Sequence, residues 1–176
     1  MNTVKLITTA AIMLLVLTSP CRGAEIISRF AVLEYSQREQ VRRFNQMIDL
    51  GNLKYRLKDR RAVTVSDDIG NKVDIIVQKV QEILEMFPEP LHFRIVLLDS
   101  KSQVREVYRK KFSDDAEYIA FYSPRDKTIF TSVEDINLAV LTHEVAHVIL
   151  AHYFLVAPSE KIHEVLAQYV ERNIAR

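Results

Sequence analysis

The stretch His143-Glu144-Val145-Ala146-His147 places two imidazoles one helical turn apart, with a carboxylate between them. Because residues i and i+4 of an α-helix project from the same face, both rings can reach one cation. Zinc accepts imidazole nitrogen readily and needs only three protein ligands when its fourth position is kept for water. A glutamate beside that position can act as a general base. The motif therefore predicts His143 and His147 as Zn²⁺ ligands and Glu144 as the catalytic base.

The sequence around the motif predicts a helix with an apolar surface. Neither Gly nor Pro occurs between residues 136 and 154. Aliphatic side chains recur there at helical spacing, at Leu138, Leu141, Val145, Val148 and Ile149. Two imidazoles and a carboxylate in such a helix are costly unless a partner satisfies them, and a metal ion does so. The alternative is a helix whose two histidines are surface residues or hydrogen-bonded core residues.

A third ligand is expected further along the chain, and three residues are candidates. His152 lies five residues beyond His147, about 500° further round an α-helix, and so points away from the metal-binding face. Glu164 is favoured because it lies near the start of a second predicted helix, residues 160–174, which follows a break containing proline. Two helices joined by a short break can bring an early residue of the second close to the first. His163 is the rival for the third position.

Residues 142–171 resemble the gluzincin metallopeptidases, and more narrowly the small peptidase-MA-like zincins related to thermolysin. Those proteins carry H-E-x-x-H on one helix and, on the next, a glutamate in a context similar to E-G-L-A-x-Y. This chain has Glu164-Val165-Leu166-Ala167-Gln168-Tyr169, with Val165 where glycine is usual. The resemblance implies that Zn²⁺ is bound by His143, His147 and Glu164, with Glu144 as the general base.

The same resemblance implies a fold and a reaction. The fold is α+β and zincin-like: a small mixed sheet packed on an active-site helix, which a ligand-bearing helix follows. The strand before the active-site helix, residues 128–131, is expected to be an edge strand that pairs with extended peptide. The reaction is hydrolysis of a peptide bond in a peptide or protein substrate. His163, Tyr153, Tyr122 and Tyr169 are the candidates for stabilising the oxyanion of the transition state.

Two other functions stay open on the sequence. One is a catalytically inactive zincin-like module that serves in binding or assembly. The other is a helical adaptor with a structural site of two histidines. A minimal zincin has few elements from which to build deep subsites, so a protein partner or a confined location is expected to set its specificity.

The first 23 residues are predicted to be a cleaved signal peptide. Lys5 precedes an apolar run of about a dozen residues, and small residues follow near positions 23 and 24. The run is too short to span a membrane comfortably. Pro20 stands where a lipoprotein signal before Cys21 needs a small residue. The mature chain, residues 24–176, is expected to be a single zincin-like domain, secreted or periplasmic, without stable membrane insertion.

Composition excludes two further classes of site. The chain has 24 Lys and Arg against 23 Asp and Glu, so it lacks the basic excess of a nucleic-acid-binding protein. Cys21 is the only cysteine and lies in the predicted signal peptide, which excludes a disulfide and a cysteine-based zinc site in the mature chain. The basic residues between 54 and 61 alternate with apolar ones, which predicts a strand with one solvated face.

The remaining pattern is typical of an α+β order. It first predicts a helix over 37–50, with Met47 inward and Gly51 after its end, and then extended chain over 53–65. A long helix follows, capped at 66–68 and carrying Phe87 before Pro88, and then a strand over 91–98 that His92 begins as a structural residue. The last predicted elements are a helix over 102–112, a hairpin of strands 119–122 and 128–131, and the motif helix starting near Ser132. The final helix carries an apolar stripe of Ile162, Val165, Leu166, Tyr169 and Val170.

Overall fold

The structure, a computed structural model, describes residues 23–174. Five strands form one mixed sheet: β1 (Ala24–Ile27), β2 (Ala31–Tyr35), β3 (Phe93–Leu98), β4 (Ala120–Ser123) and β5 (Thr128–Ser132). Their order in the sheet is β1-β2-β3-β5-β4. Strands β2, β3 and β5 are parallel, whereas β1 and β4 pair antiparallel with their neighbours and form the two edges.

Helices account for most of the remaining described chain: α1 (Arg38–Met47), a 3-10 helix (Gly51–Leu57), α2 (Val65–Leu84), α3 (Lys101–Phe112), α4 (Leu138–Tyr153) and α5 (Glu160–Asn173). Capping chemistry fixes where two of them start. Before α2, the Thr64 hydroxyl accepts from the Asp67 N–H at 3.1 Å, and the Asp67 carboxylate accepts from the Thr64 N–H at 2.9 Å. Before α4, the side-chain oxygen of Asn137 accepts from the Val140 N–H at 3.0 Å. The predicted mixture of helices with a small mixed sheet is confirmed.

One face of the sheet packs on α2 and α4. Side chains two residues apart on a strand share a face, so Ile95 and Leu97 of β3 point the same way, and Ile129 of β5 lies opposite Ile95. These three are buried in one apolar cluster with Val145 and Ile149 of α4. Each such side chain contributes roughly 1.5–3 kcal/mol when it leaves water. The core therefore fixes the rotation of α4 and, with it, the direction in which the two histidines project.

The opposite face of the sheet is covered by α3 at its β4–β5 end. The Tyr108 ring of α3 meets the Phe121 ring edge to face at a centroid distance of 5.1 Å. Phe121 in turn stacks on Phe130 of the neighbouring strand at 5.1 Å, and the Lys111 ammonium lies 5.0 Å above the Phe130 ring. The edge strand β4 is thus held on both faces, which keeps its open edge in place beside α4.

Extended chain over residues 53–65 was predicted from alternating basic residues, and that prediction is wrong. The structure has a 3-10 helix over Gly51–Leu57 and no strand between residues 53 and 65. The Arg56 guanidinium forms two hydrogen bonds with the Glu82 carboxylate of α2, at 2.8 and 2.7 Å, and Arg60 donates to the Gln78 side chain at 2.7 Å. The spacing of these basic residues therefore reflects partners on α2 and not the period of a strand.

Several predicted boundaries also change. Helix α1 ends at Met47, whose side chain is 39% exposed instead of inward, and Gly51 adopts its positive φ of 53° where the 3-10 helix begins. Helix α2 is capped by Thr64 and ends before Phe87, which lies exposed in the following turn. Helix α4 starts six residues after Ser132, at Leu138, where Asn137 supplies the cap. Strands β1 and β2 were not predicted.

The prediction that residues 128–131 form an edge strand is wrong. Strand β5 pairs with β3 on one side and with β4 on the other, so it lies inside the sheet. The predicted hairpin itself is present, but its first strand, β4, folds outward and takes the edge position. The open edge next to α4 therefore belongs to residues 120–123.

The predicted signal peptide, residues 1–23, lies outside the described residues except for Gly23. Within residues 23–174, no helix combines the length and the apolar character needed to cross a membrane.

Candidate metal centre

Helices α4 and α5 pack against each other and bring three predicted ligands to one place. His143 and His147 project from α4, and Glu164 projects from the first half of α5. One ligand atom from each lies within 4.8 Å of the other two, and the group is the one among the described residues that could hold a metal ion in this way. Because the connection between the two helices is short, α5 can pack beside α4 with these three side chains close together.

The distances within the group fit a tetrahedral ion. The two Nε2 atoms of His143 and His147 are 3.1 Å apart. The carboxylate oxygens of Glu164 lie 3.5 Å from His143 Nε2 and 3.2 Å from His147 Nε2. Ligand atoms about 2.0–2.2 Å from a tetrahedral zinc lie about 3.3–3.6 Å from each other. The measured separations of 3.1–3.5 Å lie within about 0.2 Å of this range, so small side-chain shifts would let the three residues share one ion.

The centre is closed by protein on one side and open on the other. The side chains of His143 and His147 are about one fifth exposed or less, whereas the Glu164 side chain is nearly half exposed. A catalytic zinc site needs such an open side, because water and substrate must reach the fourth ligand position. A structural zinc site would instead be expected to have four protein ligands.

Glu144 lies beside the metal centre and is almost completely buried, with 8% of its surface exposed. Burial raises the pKa of its carboxyl group to about 8, although a hydrogen bond from the backbone N–H of Tyr122 favours the ionised form. The negative charge of Glu164 raises the pKa further. A carboxyl group in this state can hold or release a proton near neutral pH, as a general acid–base catalyst requires.

His147 is prepared for metal binding by its surroundings. Burial lowers the pKa of its imidazole to about 4, and the charges that His143 and His163 carry when protonated lower it further. The ring is therefore neutral at physiological pH, and its Nε2 can offer a lone pair to a cation. The His163 ring stacks on the His147 ring with 5.9 Å between centroids. That position puts His163 next to the centre, but the three-residue ligand group contains Glu164 instead.

Glu171 is a residue of the centre that the sequence analysis missed. Its carboxylate lies 3.3 Å from Nδ1 of His143. A proton on Nδ1 that is donated to Glu171 leaves Nε2 of the same ring free to bind a metal. The signal in the sequence was its spacing: Glu171 follows Glu164 by seven residues, or two helical turns, and therefore shares its face of α5.

Replacing Glu171 by glutamine is expected to weaken zinc binding about 10–100-fold, because a neutral amide orients the His143 ring less firmly and lowers its basicity. Competition with a chelating dye measures the affinity directly. Glu160→Gln, an exposed carboxylate on the same helix, serves as the matched control. Equal affinities of the two variants would show that Glu171 has no part in metal binding.

The remaining candidate residues are three tyrosines and His152. Tyr122 reaches the centre through its backbone N–H, and burial raises the pKa of its phenol to about 12, so this hydroxyl keeps its proton. The Tyr153 ring packs on Phe154 at 5.3 Å, and the Tyr169 side chain is half exposed. Within residues 23–174, neither ring bonds to the metal-centre residues. The Nδ1–H of His152 donates to the backbone carbonyl of Val148 at 2.8 Å, away from the centre as predicted.

The apolar stripe predicted on α5 faces the core only in part. Val170 is buried, but Ile162, Val165 and Tyr169 are 50%, 58% and 52% exposed. The helix turns its carboxylates toward the histidines of α4, and the side chains opposite that face consequently meet solvent.

A scan against protein-family models finds no match to this chain, and searches of curated proteins and of solved structures find none either. The interpretation of the centre accordingly rests on its geometry.

Proposed function

We propose that this protein is a zinc-dependent metallopeptidase with a zincin-like fold, secreted or periplasmic. One observation carries the proposal: two imidazoles and a carboxylate converge at the separations expected of zinc ligands, with the buried carboxyl group of Glu144 beside them. Zinc sites with three protein ligands and an open side are typical of hydrolytic enzymes. The α+β architecture and the order of motif helix and ligand helix agree with this class.

The residues of the chain divide the chemistry between them. A zinc ion in the centre would supply a Lewis acid that lowers the pKa of water to about 7. Glu144 takes the proton that water loses on attacking the peptide carbonyl, and then gives it to the leaving amine. Its carboxyl group is buried beside the metal centre, where it can make both transfers. His163 and Tyr122 are the candidates that lie close enough to the centre to stabilise the oxyanion.

The open edge of β4 is the proposed place for the substrate backbone. The Ser132 N–H donates to the Ile119 carbonyl at 2.9 Å, so these two residues form a hydrogen-bonded pair of the hairpin. Because bonded and non-bonded pairs alternate in an antiparallel ladder, the backbone groups of Ala120 and Tyr122 point away from β5. They face the open edge on the side of Glu144. An extended peptide that pairs with this edge would lie beside the metal centre.

Metal analysis and a cleavage assay on the same preparation test the proposal. We expect one zinc per chain, cleavage of a mixed peptide pool, loss of cleavage after EDTA treatment and recovery on adding Zn²⁺. Zinc well below one per chain after incubation with Zn²⁺ would argue against the metal centre. Cleavage that survives complete zinc removal would show that another mechanism operates.

A further inference from the structure

A second candidate site lies away from the metal centre, at the ends of β2 and β3 where these parallel strands begin. A cavity of about 610 Å³ opens there between the turn before β2 and the connection from α2 to β3. Ligand sites in proteins usually have volumes of roughly 300–1,000 Å³ and combine apolar walls with a few polar groups. The walls here are Phe30, Phe87, Pro88, Pro90 and Leu91.

One polar group of this cavity is Gln81 of α2. Gln81 is only 7% exposed, and it lines the cavity. Within residues 23–174 the side-chain amide of Gln81 makes no hydrogen bond. Neither amide atom of Gln81 is among the described polar side-chain atoms that are buried without a partner, so the amide is open to water at the cavity. A ligand group that hydrogen-bonds to Gln81 would take the place of that water.

The second polar group is the guanidinium of Arg29. It lies 4.9 Å above the Phe30 ring, which holds it at the cavity by a cation–π contact. The backbone beneath it is fixed, because the Asp74 carboxylate accepts hydrogen bonds from the N–H groups of Arg29 and Phe30 at 3.2 and 3.4 Å. Glu89 also lines the cavity but forms no ion pair with Arg29, and no other described carboxylate does so. The exposed guanidinium has no carboxylate partner among the described residues, so its donors can bind a planar anion in place of water.

We propose that this cavity binds an apolar ligand that ends in a carboxylate. The guanidinium of Arg29 pairs with the carboxylate, the amide of Gln81 supplies a further hydrogen bond, and the apolar walls remove the body of the ligand from water. Two kinds of molecule have this chemistry: a peptide, through its C-terminal residue, and an aliphatic acid. The inference is independent of the proposed peptidase activity, because no residue of the metal centre takes part.

Nuclear magnetic resonance titration of the full protein tests the proposal. The probes are N-acetylphenylalanine, which mimics a peptide C-terminus, and octanoate, which represents an aliphatic acid. We expect saturable shifts of the Arg29, Phe30 and Gln81 amide signals with at least one probe, and the responding probe identifies the source. Arg29→Gln should weaken that binding at least about tenfold, as loss of a charge-assisted pair implies. The control is Arg38→Gln, which alters an exposed arginine on α1.

The proposal fails if neither acid shifts these signals, or if Arg29→Gln binds as tightly as Arg38→Gln. It also fails if N-acetylphenylalanine amide binds as well as the acid, because the carboxylate would then have no role. Since Arg29 is exposed and its side chain has no ion pair in the described chain, its variant is expected to fold. Equal melting temperatures of the two arginine variants check this.

Discussion

Replacing Glu144 by glutamine is expected to reduce peptide hydrolysis about 10²–10⁴-fold while zinc remains bound. Glutamine has the shape of glutamate, and its carbonyl oxygen can still accept the hydrogen bond from the Tyr122 N–H. It has no basic oxygen, however, and so cannot take a proton from attacking water. Initial rates on the cleaved peptide and elemental analysis of both proteins measure the two parts of this expectation.

Glu160→Gln is the matched control for that experiment, because it removes an exposed carboxylate at the start of α5. Its rate should equal that of the parent. A Glu144→Gln protein that cleaves as fast as the parent would exclude Glu144 as the base. If the parent binds zinc but cleaves no peptide in the pool, the inactive zincin-like module becomes the better description.

The second large effect is expected at the third ligand. Glu164→Ala removes the carboxylate that lies 3.2 Å from His147 Nε2 and 3.5 Å from His143 Nε2. Loss of a direct ligand should weaken zinc binding more than about 100-fold, which exceeds the 10–100-fold typical of an outer-shell partner. His163→Ala should leave zinc affinity within a few-fold of the parent. Its peptidase rate should fall if the ring stabilises the oxyanion.

Zinc affinities of these two variants also separate the remaining alternatives. If His163→Ala loses zinc and Glu164→Ala keeps it, then His163 is the third ligand. If neither variant changes the affinity, the two histidines form a structural site of their own. The Glu171→Gln variant is the reference for an indirect effect on zinc affinity, since the Glu171 carboxylate contacts His143 at Nδ1 and not at the ligand nitrogen.

Local pattern was enough to predict the elements that carry the centre. The spacing of His143 and His147 and the proline-containing break before α5 both act within a few residues, so helical periodicity predicts them directly. The hairpin of β4 and β5 was predictable for the same reason. The meeting of Glu164 with the histidines was expected from the short connection between the helices, and the structure brings these groups together.

Features that depend on the order of strands were not predictable in this way. Which strand of the hairpin lies at the edge depends on pairing between β3 and β5, whose partners are more than 30 residues apart in sequence. The basic residues between 54 and 61 gave a false strand pattern. Arg56 and Arg60 instead reach Glu82 and Gln78, which are one helical turn apart on α2. The rotation of α5 was misjudged: Glu164 and Glu171 face α4, which leaves Ile162 and Tyr169 about half exposed.

The hydrogen bond between the Tyr122 N–H and Glu144 has a consequence for how a peptide can dock. The Tyr122 N–H already donates to Glu144, so the edge of β4 offers an incoming peptide one hydrogen bond fewer at that position. A peptide can use the Tyr122 N–H only if the Glu144 carboxyl group first releases it. In the proposed mechanism, substrate pairing with β4 and movement of Glu144 would therefore be coupled through the Tyr122 amide.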